Sequence, residues 1–352
     1  MVHKVTLLPS GRQFTCAPQE SILIAGLQAG AGLPFSCRSG VCRTCRGKVV
    51  AGSVDTGQVH PAYLSEAERA EGFAHLCQAS ALGDCVIEID ELDTSTSYPL
   101  QQMPARVLSV DRAAPDVMIL TLGLPPNEPL RYHAGQYLDI VLGDNLRRSY
   151  SMASAPLLQG SRQVSVHIRH MPGGVFSDRV FTSLKLRELL RIEAPLGQFY
   201  MDEASDKPII FLASGTGFAP IKAMVEHALT RGWQRPMHIY WGGRTRPDLY
   251  MDGIVHQWVS RHSYIRYTPV LSEATLACAW DGRTGLVHQA VMIDYPDLSA
   301  FEVYACGAPA MVNAARQDFT RLGGLAAHDF HADAFVSEAD KAAITVNTRN
   351  ES

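Results

Sequence analysis

The chain has 352 residues, 46% of them hydrophobic and 19% charged, with a formal net charge of −4 and a pI of about 6.3. That is a globular composition, long enough for two or three domains, and its charge balance argues against a nucleic-acid-binding surface. The opening residues, MVHKVTLLPSGRQF, turn polar too early for a signal peptide, and the best apolar run, SILIAGLQAGAGLPF, is too short for a bilayer and contains Gln28 and Pro34. A cytoplasmic location, with no membrane and no nucleic-acid partner, is the expectation.

In chain order, HKVTLLPSGRQFTCA reads as two strands about a Pro-Ser-Gly turn. Ser21 then starts an apolar helix that ends near Gly30. GKVVAGSV and CVIEIDEL read as further strands, and Ser65 and Glu68 have the spacing of a capping box on a short helix between them. These elements make up a first domain, 1–94. Residues 95–104 are polar and punctuated by Pro99 and Pro104, and read as a linker. From 105 to 202 the strands ARVLSV, VMILTL, YLDIVL, RRSYSMA and QVSVHIRH follow one another closely, as in a barrel or sandwich, with one helix near SDRVFTSL. From 206 to 336 the rhythm changes. Apolar strands PIIFLA, MHIYWGG, YIRYTPVL and FEVYACG alternate with helices such as PIKAMVEHALTRG, which predicts a parallel sheet covered on both faces. Residues 337–352 are polar and read as a disordered tail.

The chain has eight cysteines. In a long chain without a secretory signal, clustered cysteines point to metal or redox chemistry rather than to disulfides. Four of them, Cys37-x4-Cys42-x2-Cys45 and the distant Cys77, have the spacing of a [2Fe–2S] site: one loop wraps the cluster with three thiolates and a far point supplies the fourth. Gly40 gives that loop its backbone freedom. A structural zinc site and unligated buried cysteines are the competing readings. Cys16, Cys85 and Cys278 need no role beyond small buried hydrophobes.

On these residues the first domain resembles a plant-type ferredoxin, a β-grasp fold. Relatives often carry Gly or Ala directly after the second cysteine, where this chain has Arg43. Arg38, Arg43 and Arg46 make the loop locally basic, although residues 1–100 hold 10 acidic and 7 basic residues. Two readings stand: the arginines are solvated or offset the cluster's charge, or they dock an acidic patch on an electron acceptor.

In the second domain, Arg148-Ser149-Tyr150-Ser151 and the turn Gly173-Gly174-Val175-Phe176-Ser177 resemble the R-x-Y-S and G-x-x-S motifs of the ferredoxin reductase family, whose antiparallel barrel binds FAD. The resemblance implies that Arg148 contacts the FAD pyrophosphate, Tyr150 packs on the isoalloxazine and Ser151 bonds near its N5. Backbone around His167, Ile168 and Arg169 would hold the flavin, and Gly174, Val175 and Ser177 the pyrophosphate. His170 is expected to be structural. In the third domain, a Rossmann-like NAD(P)H-binding sheet, Gly215-Thr216-Gly217-Phe218-Ala219-Pro220 lacks the third glycine of the dinucleotide fingerprint but is similar to the family's G-T-G-x-x-P. Arg244 is the candidate contact to the adenosine half; it also suits a 2′-phosphate, so NADPH stays open beside NADH. Cys306-Gly307-Ala308-Pro309 ends a strand, and the resemblance places Cys306 near the nicotinamide C4. Phe335, in DFHADAF, is the candidate aromatic at the flavin.

The resemblance covers 1–336 and implies electron flow from NADH to FAD to a [2Fe–2S] cluster, of a type near −400 mV, and then to a partner. The motif set is most similar to reductases of bacterial aromatic ring-hydroxylating dioxygenases of the terephthalate type, with a Rieske-type terminal oxygenase as acceptor and a monomeric reductase as the family expectation. Reductases of a CDP-6-deoxy-glucoseen dehydrase share the domain order and are the alternative, along with reductases of other monooxygenases. A non-catalytic metal-binding module is disfavoured by the intact Arg148–Ser151 and Cys306-Gly307 motifs.

Overall fold

The structure, a computed structural model, describes residues 2–92, 97–143, 146–274 and 279–336. Cys278, the 337–352 tail and residues 95–96 of the predicted linker lie outside the described residues. The chain divides between Ser97 and Tyr98 into two compact units, the second running to Asp333.

The first unit is built on alternation. In β1 (His3–Leu8) the inward Val5 and Leu7 are fully buried, and β2 (Gln13–Cys16) returns antiparallel to it across the Pro-Ser-Gly turn. Helix α1 (Ile22–Gln28) starts as read from the sequence: Ser21 Oγ caps the Ile24 N–H at 3.2 Å, and Ile22, Leu23 and Ala25 face inward. After β3 (Arg46–Ala51) and β4 (Val54–Asp55) comes α2 (Glu66–Ala70), with Ser65 and Glu68 in a reciprocal capping box. Strands β5 (Phe73–His75), β6 (Ser80–Ala81) and β7 (Cys85–Glu88) complete the unit. The main sheet has the order β2-β1-β7-β3-β5; its β1–β7 pair is parallel, and β7 pairs antiparallel with β3. This mixed sheet with a helix across it is the β-grasp arrangement.

The second unit begins earlier than the linker reading allows. β8 (Gln101–Ala114) is already a strand at Gln101, with Pro104 opposite Arg191. Proline is tolerated there because residues 101–105 have only one neighbouring strand; pairing with β9 (Val117–Gly123) starts at Arg106. β10 (Tyr137–Val141), β11 (Arg147–Ser151), β12 (Gln163–Arg169), helix α3 (Val175–Thr182) and β13 (Leu189–Leu196) follow. The sheet order is β11-β10-β13-β8-β9-β12. An isolated bridge between Met152 and Val166 joins the two ends, so the sheet closes into a barrel around Leu120, Leu138, Ile140, Val164 and Ile168.

The nucleotide-binding part alternates β14 (Ile209–Ser214), α4 (Phe218–Thr230), β15 (Met237–Gly243), α5 (Asp252–Arg261), β16 (Ile265–Leu271), β17 (Arg283–Thr284), α6 (Val287–Asp294), β18 (Glu302–Gly307), α7 (Pro309–Arg321) and β19 (Phe330–Ala334). The order is β17-β16-β15-β14-β18-β19, with β14 parallel to both β15 and β18. Strand order reverses between β14 and β18. Ligands of such sheets bind outside the carboxyl ends of the strands at that switch point. Barrel and nucleotide part, read from the sequence as separate domains, fall within one compact unit.

Candidate functional site

The four motif cysteines come together in two pairs. Cys37 and Cys42 interact directly, as do Cys45 and Cys77, and each pair feels the charge of the other. The backbone explains the geometry. Arg38, Gly40 and Arg43 have φ of 53°, 77° and 67°, so the loop turns through three left-handed residues within six positions. The N–H groups of Ser39 and Cys42 both point at Cys37 Sγ, at 3.4 Å. Cys45 is tied to the strand side by Leu76 N–H donating to its carbonyl at 3.0 Å, and Cys77 is bracketed by α1, whose Leu23 and Ile22 N–H groups donate to Leu76 and Ala79. Among the described residues no group of His, Cys, Asp or Glu is arranged for a single metal ion. Two thiol pairs facing one another fit a two-iron cluster instead. The Cys42 thiol is held low: Cys37 stabilises its thiolate most, burial opposes, and Thr44 adds to the lowering, leaving it at about 6. The hydrogen-bonded partner thiol, then burial, pushes Cys37 and Cys45 well above the ordinary range. Iron ions would bind these groups as thiolates, replacing their protons.

Polar side chains brace this loop. His75 Nδ1 meets the Gly40 carbonyl at 2.7 Å, so that nitrogen carries the proton, and burial lowers its pKa to about 4. Gln78 donates to the Arg38 carbonyl at 3.0 Å. Of the loop arginines, Arg43 and Arg46 both pair with Glu68; Arg43 also donates to the Tyr63 carbonyl at 2.8 Å, and Arg46 lies 3.5 Å over the Phe73 ring. Burial raises the Glu68 carboxyl, but Arg43 and the Ser65 N–H outweigh it and bring the group down to about 2. Arg43 and Arg46 are therefore committed to Glu68 within the unit, which counts against the docking reading for these two. The positive φ at residue 43 also gives the physical reason that glycine suits this position.

In the barrel, Arg148 and Tyr150 share one face of β11, Tyr150 tilted onto Phe176 at 5.7 Å between ring centroids. The intervening Ser149 donates to the buried Asp139 at 2.6 Å. Ser151 Oγ is buried without a hydrogen-bond partner. A hydroxyl in that state is costly unless a ligand completes it, so it fits an FAD edge. Gly174 caps α3 with no side chain on the helix N–H groups, leaving them for a phosphate. A Cβ on Gly174 would come within 2.5 Å of Ser177 Oγ. Ser177 itself is engaged with the Met171 backbone, donating to its carbonyl at 3.0 Å, so it shapes the turn. His170 stacks on Phe181 and bonds to Asp178 at 2.8 Å, as expected of a structural residue.

At the switch point, Gly215–Gly217 forms a 3-10 turn that runs into α4, with Pro220 in its first turn and Thr216 half-buried. A Cβ on Gly217 would sit 2.1 Å from the Cys306 carbonyl, so only glycine lets this turn lie on the end of β18. Cys306 is fully buried; burial, then Asp333, hold its thiol well above the ordinary range. The thiol is therefore held protonated rather than as a nucleophilic thiolate. Gly307 has φ 129°, with Pro309 opening α7 just beyond. Arg244 is exposed after β15, and Phe335 is half-buried directly after β19. Several residues here went unread in the sequence. Ser214 Oγ accepts the Ala308 N–H at 2.9 Å, joining β14 to the loop after β18. Asp248 caps the turn after β15, accepting from Arg244 and Thr245. Thr245-x-x-Asp248 has capping-box spacing, which was the available signal.

A paired-thiol loop, a closed antiparallel barrel with an orphaned hydroxyl and a glycine turn at a parallel switch point define a flavin iron–sulfur oxidoreductase. Comparison with known proteins agrees. The family model described as a 2Fe-2S iron-sulfur cluster binding domain matches 5–82, the oxidoreductase FAD-binding domain 104–200 and the oxidoreductase NAD-binding domain 211–317. The chain is 41% identical, over 96% of itself and 99% of the relative, to CDP-6-deoxy-L-threo-D-glycero-4-hexulose-3-dehydrase reductase of Yersinia pseudotuberculosis. It is 34% identical, over 96% and 98%, to terephthalate 1,2-dioxygenase reductase component 1 of Comamonas sp. Among solved structures, a cytochrome P450 reductase of Amycolatopsis superposes with a TM-score of 0.76 at 33% identity, covering 95% of this chain and 99% of that one. The chain belongs to the [2Fe–2S]–FAD–NAD reductase family: an NADH-dependent oxidoreductase that uses a [2Fe–2S] cluster and FAD. Among the described residues no helix is long and apolar enough to cross a membrane.

Proposed function

We propose that this protein supplies single electrons to the terminal oxygenase component of an aromatic ring-hydroxylating system, Rieske-type as the motif resemblance implies, and acts as a monomer. The observation that carries the one-electron exit is the pairing of Cys37 with Cys42 and of Cys45 with Cys77, one pair for each iron. Bound FAD would take two electrons together as hydride and release them singly to the cluster. The chain's own residues prepare that exchange. Arg148 and the helix N–H groups that follow Gly174, from Val175 on, hold the pyrophosphate. Tyr150 and the backbone of 167–169 orient the ring, and Ser151 donates to its polar edge. Gly215, Thr216, Gly217 and Pro220 cradle the dinucleotide, with Arg244 on its adenosine half. Cys306, Gly307 and Pro309 form an uncharged wall that keeps water from the transferring hydride. Residues 1–94 carry the cluster, the barrel the flavin and 206–336 the nucleotide.

A second acceptor, a CDP-hexulose dehydrase, is favoured by a specific observation: 41% identity to that reductase against 34% to the terephthalate one. The deciding experiment is NADH consumption by the reductase mixed with a purified Rieske oxygenase and an aromatic acid, against a hexulose dehydrase and its CDP-sugar. Coupled product in the first mixture supports the oxygenase reading; product only in the second overturns it. An anaerobic NADH titration followed by absorbance and low-temperature EPR tests the shared core. Flavin bleaching without a rhombic [2Fe–2S] signal would remove the cysteine assignment.

A further inference from the structure

The turn after β15 meets the flavin strand β12 at two points, with a regularity that the cofactor motifs do not explain. His167 and Arg169 alternate on β12 and so share a face. Tyr250 and Asp248 are likewise two residues apart. His167 Nδ1 meets Tyr250 Oη at 2.7 Å, their rings edge to face at 5.4 Å between centroids. Arg169 Nη2 donates to Asp248 Oδ1 at 2.8 Å, while Asp248 Oδ2 accepts the Arg244 and Thr245 N–H groups at 2.9 and 3.0 Å. Asp116, between β8 and β9, lies 3.2 Å from Arg169 Nε and takes the His170 N–H on its carbonyl.

The contacts continue to the nucleotide cradle. Tyr250 stands edge-on to Trp241 at 5.3 Å, and Trp241 Nε1 donates to the Gly215 carbonyl at 3.0 Å. A Cβ on Gly215 would meet the Arg169 guanidinium at 2.9 Å. Burial lowers His167 to about 3 and raises Tyr250, whose titration also feels Arg169 and Cys306. Both rings are therefore neutral across ordinary pH, and the rung between them is a hydrogen bond and not an ion pair.

We propose that Tyr250 and Asp248 are positioning residues: with His167 and Arg169 they form a two-rung latch that sets the distance between the flavin strand and the Gly215–Gly217 and Cys306–Gly307 walls. The latch rests on the reading that this crevice takes NADH. It touches no reacting atom. It acts by holding donor and acceptor at transfer distance, where a misplacement of about 1 Å costs on the order of a hundredfold.

The test uses the holoprotein with FAD and cluster loaded, and NADH as the probe in anaerobic rapid mixing. Tyr250→Phe removes one rung and keeps the ring. FAD and cluster content stay at the wild-type level, and flavin bleaching slows about tenfold at saturating NADH. The NADH concentration for half-maximal rate stays the same, and the long-wavelength charge-transfer absorbance weakens. A merely structural role would lower thermal stability and leave that absorbance intact. His167→Asn breaks the same rung from the other side, so the double variant should be no slower than either single one. Additive slowing, or an unchanged charge-transfer signal in Tyr250→Phe, overturns the latch. Should Tyr250→Phe fail to fold, Asp248→Asn and Arg169→Gln form the equivalent cycle on the second rung, and additive effects there overturn it. Wild-type protein that binds FAD but is not bleached by NADH overturns the functional reading, and the latch with it.

Discussion

The cluster loop and the nicotinamide crevice solve opposite problems. The loop gathers its chemistry from nine consecutive residues and one distant cysteine, and the backbone itself does the gathering, through left-handed residues at Arg38, Gly40 and Arg43. The crevice draws on β12, β14, β15 and β18 and on the turns after them, none adjacent in sequence. Its precision is tertiary. Damage to the loop should therefore be local and complete, whereas damage to the crevice should be graded.

The largest expected effect tests the first half of that contrast. Cys42→Ser removes one iron ligand. Visible cluster absorbance and cytochrome c reduction should vanish, while NADH–ferricyanide activity, which runs from the flavin, largely survives. Loss of both activities would mean that the two stations are not separate.

Next comes the frame of the nucleotide sheet. Arg235 and Glu302 form a buried pair at 2.7 Å, side chains 8% and 4% exposed, with Glu302 also accepting from Tyr304 at 3.0 Å. Arg235→Ala strands a buried carboxylate and should cost about 3–5 kcal/mol, read as a lowered thermal midpoint of the flavin-binding unit. The cluster signal of the first unit should persist below that midpoint.

A comparable but pH-dependent effect is expected at Glu68. Its folded pKa, about 2, lies below the ordinary carboxylate value of 4.5. A depressed carboxyl stabilises the fold above its unfolded pKa, and this stability is lost as pH falls through the folded value. Glu68→Gln should therefore weaken the ferredoxin unit at pH 7 by roughly 2–3 kcal/mol at most. Wild type and variant should converge between pH 4.5 and 2, checked by urea midpoints at each pH. A constant gap over that range would assign the loss to packing alone.

Cys306→Ala trims a neutral wall. It should slow flavin reduction about tenfold, about 1.4 kcal/mol of barrier, with cluster content unchanged in EPR. Ser21→Ala, at the α1 cap, sets the small end of the scale at about 1 kcal/mol, seen in the denaturant midpoint of the first unit.

Much of the site was legible because its chemistry is local. The cysteine spacing, the Ser21 cap, the Ser65–Glu68 box, the R-x-Y-S strand and the glycine turn before α4 each depend on neighbours within a few positions. The start of β8 was misread because Pro104 looks like linker punctuation, and only the single-sided pairing of that stretch makes proline harmless. Glu68 was read as a cap; that the same carboxylate also holds Arg43 and Arg46 could not be read, since it joins residues over 20 positions apart.

By itself, then, the sequence determined the three cofactor motifs, the switch from strand runs to strand–helix alternation, and hence the kind of electron carrier, because spacing and periodicity are short-range properties of a chain. Only the tertiary structure decided that Glu68 engages Arg43 and Arg46, that residue 43 turns left-handed, and that His167 and Arg169 grip Tyr250 and Asp248 about 80 positions away. Those are matters of which side chains meet once the sheets have closed.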